Sequence, residues 1–336
     1  MTKIGVIGAG SWGIALAKLL YNNGCEVTVW SALEDEIHML QKEREHKDKL
    51  PGVALPEEMI FTVSLEEAMQ EKDILVMAVP SPFVRSTAAR MKSFIKKGQI
   101  IVNVAKGIEE KTLTTLSGVI EDELPYADVA VLSGPSHAEE VGRQIPTTIV
   151  VGARSKETAE LIQNLFMSEV FRVYTSPDVL GIDIGAALKN VVALAAGIAV
   201  GLGYGDNTKA ALITRGSAEI ARLGMAMGGN FETFYGLSGI GDLIVTCASM
   251  HSRNRRAGIL IGQGKTMEEA MAEVKMVVEG VYSAKAAIAL AKKYNVDMPI
   301  VEQVNAVLFG GQPADQAVKE LMLRDKKIEI IDGAWS

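Results

Sequence analysis

Apolar positions along this chain follow two regimes. Up to about Thr175, short apolar runs of strand length alternate with stretches of helical period. Beyond Pro177 the runs lengthen and no convincing strand pattern remains. Lys3–Ile7 and Glu26–Trp30 read as buried strands on either side of a helix over Ile14–Tyr21. Further strands are predicted at Ile74–Val79, Ile100–Val104, Val129–Leu132, Thr147–Val151 and Phe171–Thr175. Strands alternating with helices predict an α/β, doubly wound parallel sheet. Ser176-Pro177-Asp178 reads as a boundary, with proline stopping the last strand and Asp178 capping the next helix. From there the chain is predicted helical to about Leu323, while Ile328–Ile331 is ambiguous, an extended tail being one reading. The expected organisation is an α/β domain over 1–177 and an all-helical domain over 178–336.

The longest apolar run begins at Gly181 and holds to about Gly201. Within it only Asp183, Lys189 and Asn190 carry a charge or an amide. A lysine there is either a helix-edge residue reaching water or a desolvated amine. Desolvation disfavours the ammonium and draws its pKa toward working pH, as a general acid or base requires. Periodicity alone favours the first reading; the sequence on either side favours the second.

Gly8-Ala9-Gly10-Ser11-Trp12-Gly13 lies between the first strand and the first helix, the context in which a G-x-G-x-x-G pattern signals a dinucleotide site. Gly8 permits the tight turn, Gly10 admits a pyrophosphate, and Gly13 lets helix and strand pack closely. The helix N-terminus then offers N–H groups and a positive dipole end to the phosphates. This makes the first domain Rossmann-type. The end of the second strand, Ser31-Ala32-Leu33-Glu34-Asp35, holds no basic residue, and none follows until Lys42. The missing base and the charge of Glu34 and Asp35 disfavour a 2′-phosphate, so NAD(H) is the expected cofactor over NADP(H). Other strands end in Pro80-Ser81-Pro82, Ala105-Lys106-Gly107 and Ser133-Gly134-Pro135-Ser136-His137-Ala138, at the rim where open α/β sheets bind ligands.

Composition narrows the chemistry. A net charge of −7 over 336 residues argues against a general nucleic-acid or anionic-membrane binder. Cys25 and Cys247 are too few for a disulfide framework and fit a reducing compartment. The four histidines show no metal-ligand spacing, so no metal is expected. No secretory signal pattern opens the chain, and the most apolar window, Val191–Val200, is too short to span a bilayer. A cytoplasmic protein without stable membrane insertion is expected.

Two later segments carry further chemistry. Gly236-Leu237-Ser238-Gly239-Ile240-Gly241-Asp242-Leu243 is a glycine-rich turn entering a helix near Asp242. Ser252-Arg253-Asn254-Arg255-Arg256 puts three arginines into four positions of an otherwise acidic chain. If Ser252 caps a helix, those cations sit in its first turn against the macrodipole, which an anion would justify. Guanidinium binds phosphate bidentately. A hydride-carrier domain, a buried-helix lysine and an arginine-rich turn together predict reduction of a small phosphorylated ketone.

These motifs, with Ala187-Leu188-Lys189-Asn190 and Gly239-Ile240-Gly241-Asp242, closely resemble those of bacterial NAD(P)-dependent glycerol-3-phosphate dehydrogenases over essentially the whole length. The resemblance implies a helical domain of the 6-phosphogluconate dehydrogenase type. It also implies interconversion of sn-glycerol 3-phosphate and dihydroxyacetone phosphate, supplying phospholipid synthesis. By the same resemblance Lys189 exchanges the proton and Lys106 is a second substrate lysine that also touches the cofactor. Asp242 and Asn190 orient Lys189 and the substrate, with Thr246 nearby. Gly134, Ser136, Ser252, Arg253 and Asn254 are implied substrate contacts. Ser11, Trp12, Ala138, Val277 and Glu279, together with Arg253, are implied cofactor contacts. The departure is at Ser31-Ala32-Leu33, where many members carry a basic residue. Dehydrogenases of this kind are often dimers, so a homodimer is expected by analogy. A β-hydroxyacid dehydrogenase acting on a carboxylate substrate and a catalytically silent dinucleotide sensor are the alternatives.

Overall fold

The computed structural model describes residues 1–326, 328 and 329, so residues 330 and 331 of the ambiguous Ile328–Ile331 stretch fall outside it. Eight strands form one sheet: β1 (Lys3–Ile7), β2 (Glu26–Trp30), β3 (Ile60–Thr62), β4 (Ile74–Met77), β5 (Ile100–Asn103), β6 (Asp128–Ser133), β7 (Thr147–Gly152) and β8 (Phe171–Ser176). Their order is β3-β2-β1-β4-β5-β6-β7-β8. Every residue of β4 is buried, as expected for a strand covered by helices on both faces. The glycine turn leads from β1 into α1 (Ser11–Asn22), and β2 leads into α2 (Glu34–Glu43).

The expected strands are all present, with two differences. β3 has only three residues, too few to leave a period, and it escapes the sequence pattern. β6 and β7 pair antiparallel, while β7 and β8 are parallel. Between β6 and β7 there is only the short helix Ala138–Gly142. A chain that turns back at the rim enters the next strand reversed, since a parallel entry needs a crossover to the far end of the sheet.

Beyond β8 the chain is helical, as expected. Asp178 caps the central helix, Val179–Gly201, by accepting from the Gly181 N–H at 2.9 Å. Its other carboxylate oxygen accepts from Asn230 N and Thr233 Oγ1 at 2.9 and 2.6 Å, fixing a later turn to the same point. Among the described residues this is the one helix long and apolar enough to cross a bilayer, longer than the window the sequence singles out. Burial within the molecule, rather than length, accounts for its composition. The sheet and the helical segment each bury a large apolar core, and a small cluster of Val131, Val150 and Ile182 joins the two.

The helix that carries the arginines, Arg253–Gly262, lies backbone to backbone on the central helix. A Cβ placed on Gly258 would stand 2.3 Å from the Leu194 carbonyl oxygen, and one on Gly197 would stand 2.2 Å from that of Arg255. Neither obstacle is a movable side-chain end. Gly258→Val is therefore expected to destabilise the protein by about 1–3 kcal/mol, read by urea denaturation. An unchanged midpoint would contradict the contact.

Candidate active site

A cleft of about 670 Å³ runs along the carboxyl end of the sheet, with the helical domain as its far wall. At one end sits the glycine turn. Gly8 has φ +123°, and a Cβ there would lie 2.7 Å from the Ala78 carbonyl carbon. A Cβ on Gly13 would lie 2.0 Å from the Gly8 oxygen, whereas one on Gly10 would meet nothing within 4 Å. The turn is thus closed on the protein side and open on the cleft side. α1 has no acidic residue in its first turn and no side-chain cap, so its N-terminal N–H groups face the cleft uncompensated. That is a cradle for a pyrophosphate.

Midway along the cleft, three elements bring together charges distant in sequence. The Asp242 carboxylate lies between two lysines: Lys106 Nζ is 2.6 Å from Oδ2 and Lys189 Nζ is 2.9 Å from Oδ1. Lys106 also approaches the Gly134 carbonyl at 3.4 Å, which accepts from Ser136 Oγ at 2.9 Å as well. Lys189 donates to Thr246 Oγ1 at 2.6 Å, and that hydroxyl donates onward to the Asp242 carbonyl at 2.6 Å. Lys189 is 4% exposed and borders the cleft, which decides against a lysine reaching bulk water. Burial pulls its pKa down to about 8; Asp242 opposes the fall and Lys106 adds to it. For Asp242 burial alone would raise the carboxyl, but the two lysines outweigh it and hold it below its ordinary value.

The arginine segment folds as its pattern suggests. Ser252 accepts from the Arg255 N–H at 3.2 Å and caps the helix. Arg253 and Arg256, three residues apart and so on one face, line the cleft, while Arg255 turns away against Met250. Burial lowers the Arg253 guanidinium from its ordinary value, with Glu279 and Glu139 opposing.

Most of the expected site residues do converge here. Ser11, Trp12, Ala138, Val277 and Glu279 border the same cleft as Lys106, Ser136, Lys189, Asp242, Thr246 and Arg253. Gly8, Gly13 and Gly134 shape its walls without lining it. Asn190 also lines it, but its partner is Asn254 rather than Lys189: Asn254 Nδ2 donates to its Oδ1 at 3.0 Å, and Asn254 Oδ1 accepts from Gly280 N at 2.8 Å. One residue further along a helix points about 100° away, so Asn190 and Lys189 take different protein partners while both face the cleft. Glu279 is tied across the domain boundary, accepting from Ser81 N at 3.1 Å and from the Ser81 hydroxyl.

Two further contributors appear, one absent from the sequence argument and one present there only as part of a rim segment. Asn103, at the end of β5, accepts from Ala105 N at 3.1 Å and so shapes the loop that presents Lys106. His137 lines the cleft, and burial with nearby Lys189 lowers its pKa. Among the described residues, His137 Nε2, Trp12 Nε1 and Arg256 Nε are buried with no hydrogen-bond partner. Orphaned polar atoms on three residues of one cleft are what a site shaped for a polar ligand leaves behind. The arrangement can hold two anionic groups, one at the α1 N-terminus and one at the arginines. Between them it can exchange a proton near neutral pH.

Comparison with known proteins gives a consistent picture. Residues 3–159 match the family model for the N-terminus of NAD-dependent glycerol-3-phosphate dehydrogenase, and residues 178–319 match that for its C-terminus. A glycerol-3-phosphate dehydrogenase [NAD(P)+] from Agathobacter rectalis is 66% identical over 335 residues, covering 100% of both chains. That of Bacillus subtilis is 52% identical, covering 99% of this chain and 97% of its own. Among solved structures, the glycerol-3-phosphate dehydrogenase of Coxiella burnetii superposes with a TM-score of 0.93 at 36% identity, covering 96% of this chain and 99% of that one.

Proposed function

The chain belongs to the NAD-dependent glycerol-3-phosphate dehydrogenase family, and we infer that its own cleft residues divide that family's reaction as follows. The enzyme is an oxidoreductase interconverting sn-glycerol 3-phosphate and dihydroxyacetone phosphate with NAD(H) or NADP(H). The observation that carries the assignment of roles is the Asp242 carboxylate held between Lys189 and Lys106. The nicotinamide, when bound, supplies hydride to the carbonyl carbon and takes it back in oxidation. Lys189, as ammonium, donates its proton to the oxygen that becomes the hydroxyl; in oxidation its neutral amine accepts that proton. A pKa near 8 leaves both forms accessible around neutral pH. Asp242 and Thr246 fix the direction of the Lys189 N–H bonds, and Lys106 stabilises negative charge developing on the same oxygen. Arg253, with Ser252 and Asn254 at the same helix N-terminus, takes the substrate phosphate. Gly10, Ser11 and Trp12 face the pyrophosphate, while Val277 and Glu279 border the cofactor from the helical side.

The same proposal sets the domain boundary at 177/178, supported by the large core on each side of it. It includes a cytoplasmic enzyme feeding phospholipid synthesis, a reading the free thiols of Cys25 and Cys247 fit as far as a reducing compartment goes, and a homodimer on the analogy of two-domain dehydrogenases alone.

Arg253→Ala tests the phosphate assignment. KM for dihydroxyacetone phosphate should rise by about 10-fold or more, since a hydrogen bond to a charged group is worth about 1.5–3 kcal/mol. An unchanged KM would place the phosphate elsewhere.

A further inference from the structure

The carboxyl end of β2 is where Rossmann domains read the adenosine ribose. An acidic side chain there takes its hydroxyls, and a basic one accommodates a 2′-phosphate. Here the position is Ser31, and the exposed Glu34 and Asp35 turn to solvent. The fold supplies both missing groups from elsewhere. Glu36, on the first turn of α2, is 8% exposed and accepts from the Ser31 hydroxyl. His46 Nε2 lies 2.9 Å from its Oε1, and Lys49 Nζ pairs with the same oxygen. Lys49 reaches this spot from the loop between α2 and β3 and, with Leu33, lines that end of the cleft.

We infer that Glu36 sets cofactor choice in this enzyme, favouring NAD(H) over NADP(H) by holding Lys49 and Ser31 away from a 2′-phosphate. This rests on the cofactor reading above and names the cofactor within it. Lys49 lines that end of the cleft and is the cation placed to pair a 2′-phosphate there, but Glu36 already neutralises it. Breaking the Lys49–Glu36 pair to make a new one would leave a buried carboxylate short of its counter-charge, which is costly. Burial alone would raise the Glu36 carboxyl, but His46, Lys49 and Ser31 hold it at about 2, so its charge persists at every working pH. An unphosphorylated ribose leaves the cluster intact.

The test is kcat/KM for NADH and NADPH, with dihydroxyacetone phosphate saturating, in the wild type and in Glu36→Gln and Lys49→Met. The wild type should prefer NADH. Glu36→Gln should free Lys49 and raise the NADPH/NADH ratio about tenfold, the size expected for one unit charge near a protein surface. Lys49→Met should lower that ratio by a similar factor, because the carboxylate then faces the phosphate unpaired. A merely structural effect would change both cofactors alike and leave the ratio fixed. If Glu36→Gln loses its circular-dichroism signal, the half-buried Lys49 variant decides alone. A wild type that prefers NADPH, or a ratio unmoved by Lys49→Met, overturns the inference. Continued NADH turnover in either case leaves the dehydrogenase assignment standing.

Discussion

Lys189→Ala is expected to lose turnover by about 10²–10⁴, the usual worth of a positioned acid or base, while NADH still binds. Two features set that expectation. Lys189 is the buried amine whose pKa lies near working pH, and the side chains placed to hold it, Asp242 and Thr246, both contact its Nζ. Removing the ammonium also removes a charge from the interior, and Asp242 keeps Lys106 as its partner at 2.6 Å. The variant should therefore fold, which separates a chemical loss from a structural one. Lys189→Met, closer in volume, should lose as much. Turnover within a few-fold of wild type, with NADH binding checked by fluorescence titration, would remove Lys189 from the chemistry.

Asp242→Asn should carry the second-largest effect and act on two observables. The carboxylate separates two lysines; without its charge they repel across a cleft wall. Losing one partner of a buried ion pair costs about 3–5 kcal/mol. The lower end applies here, because Lys189 relieves the repulsion by giving up its proton. That relief is the functional cost. Asp242 opposes the fall in the Lys189 pKa, so its loss moves the pKa further down. At neutral pH less ammonium remains to protonate the ketone oxygen, and the N–H directions loosen. Ketone reduction should fall by about 10², as misplacement of a reacting group does, and its pH profile should shift to lower pH. Urea denaturation and pH–rate data read the two effects separately. A stable variant with an unshifted profile would mean that Asp242 does not govern Lys189.

Much of this was legible in the sequence because it is local. The strand–glycine–helix order around Gly8–Gly13, the cap at Asp178 and the apolar run around Lys189 each declare themselves within a few residues. What was not legible depends on chain distance. Nothing near Asp242 shows that it lies between Lys106 and Lys189, and nothing near Ser81 shows that it meets Glu279. The expectation of NAD(H) draws on the lack of a basic residue after β2 and on the acidic Glu34 and Asp35, yet Lys49 arrives there from a loop and is neutralised by Glu36 instead. Asn190 and Lys189 are neighbours in sequence, and the helix turns them to different partners. The reversal of β7 is likewise set by where the chain turns, which residue periodicity does not record.

The most direct measurement is kcat/KM for dihydroxyacetone phosphate reduction and for glycerol 3-phosphate oxidation, followed from about pH 6 to about pH 10 at saturating cofactor. Reduction needs the Lys189 ammonium, so its rate should hold at low pH and fall as pH rises through about 8. Oxidation needs the neutral amine, so its rate should climb through the same region. Two profiles crossing near that pH, both lost in Lys189→Met, are the predicted result. Profiles that stay flat through pH 8, or that move in the same direction, would contradict Lys189 as the group that exchanges the proton.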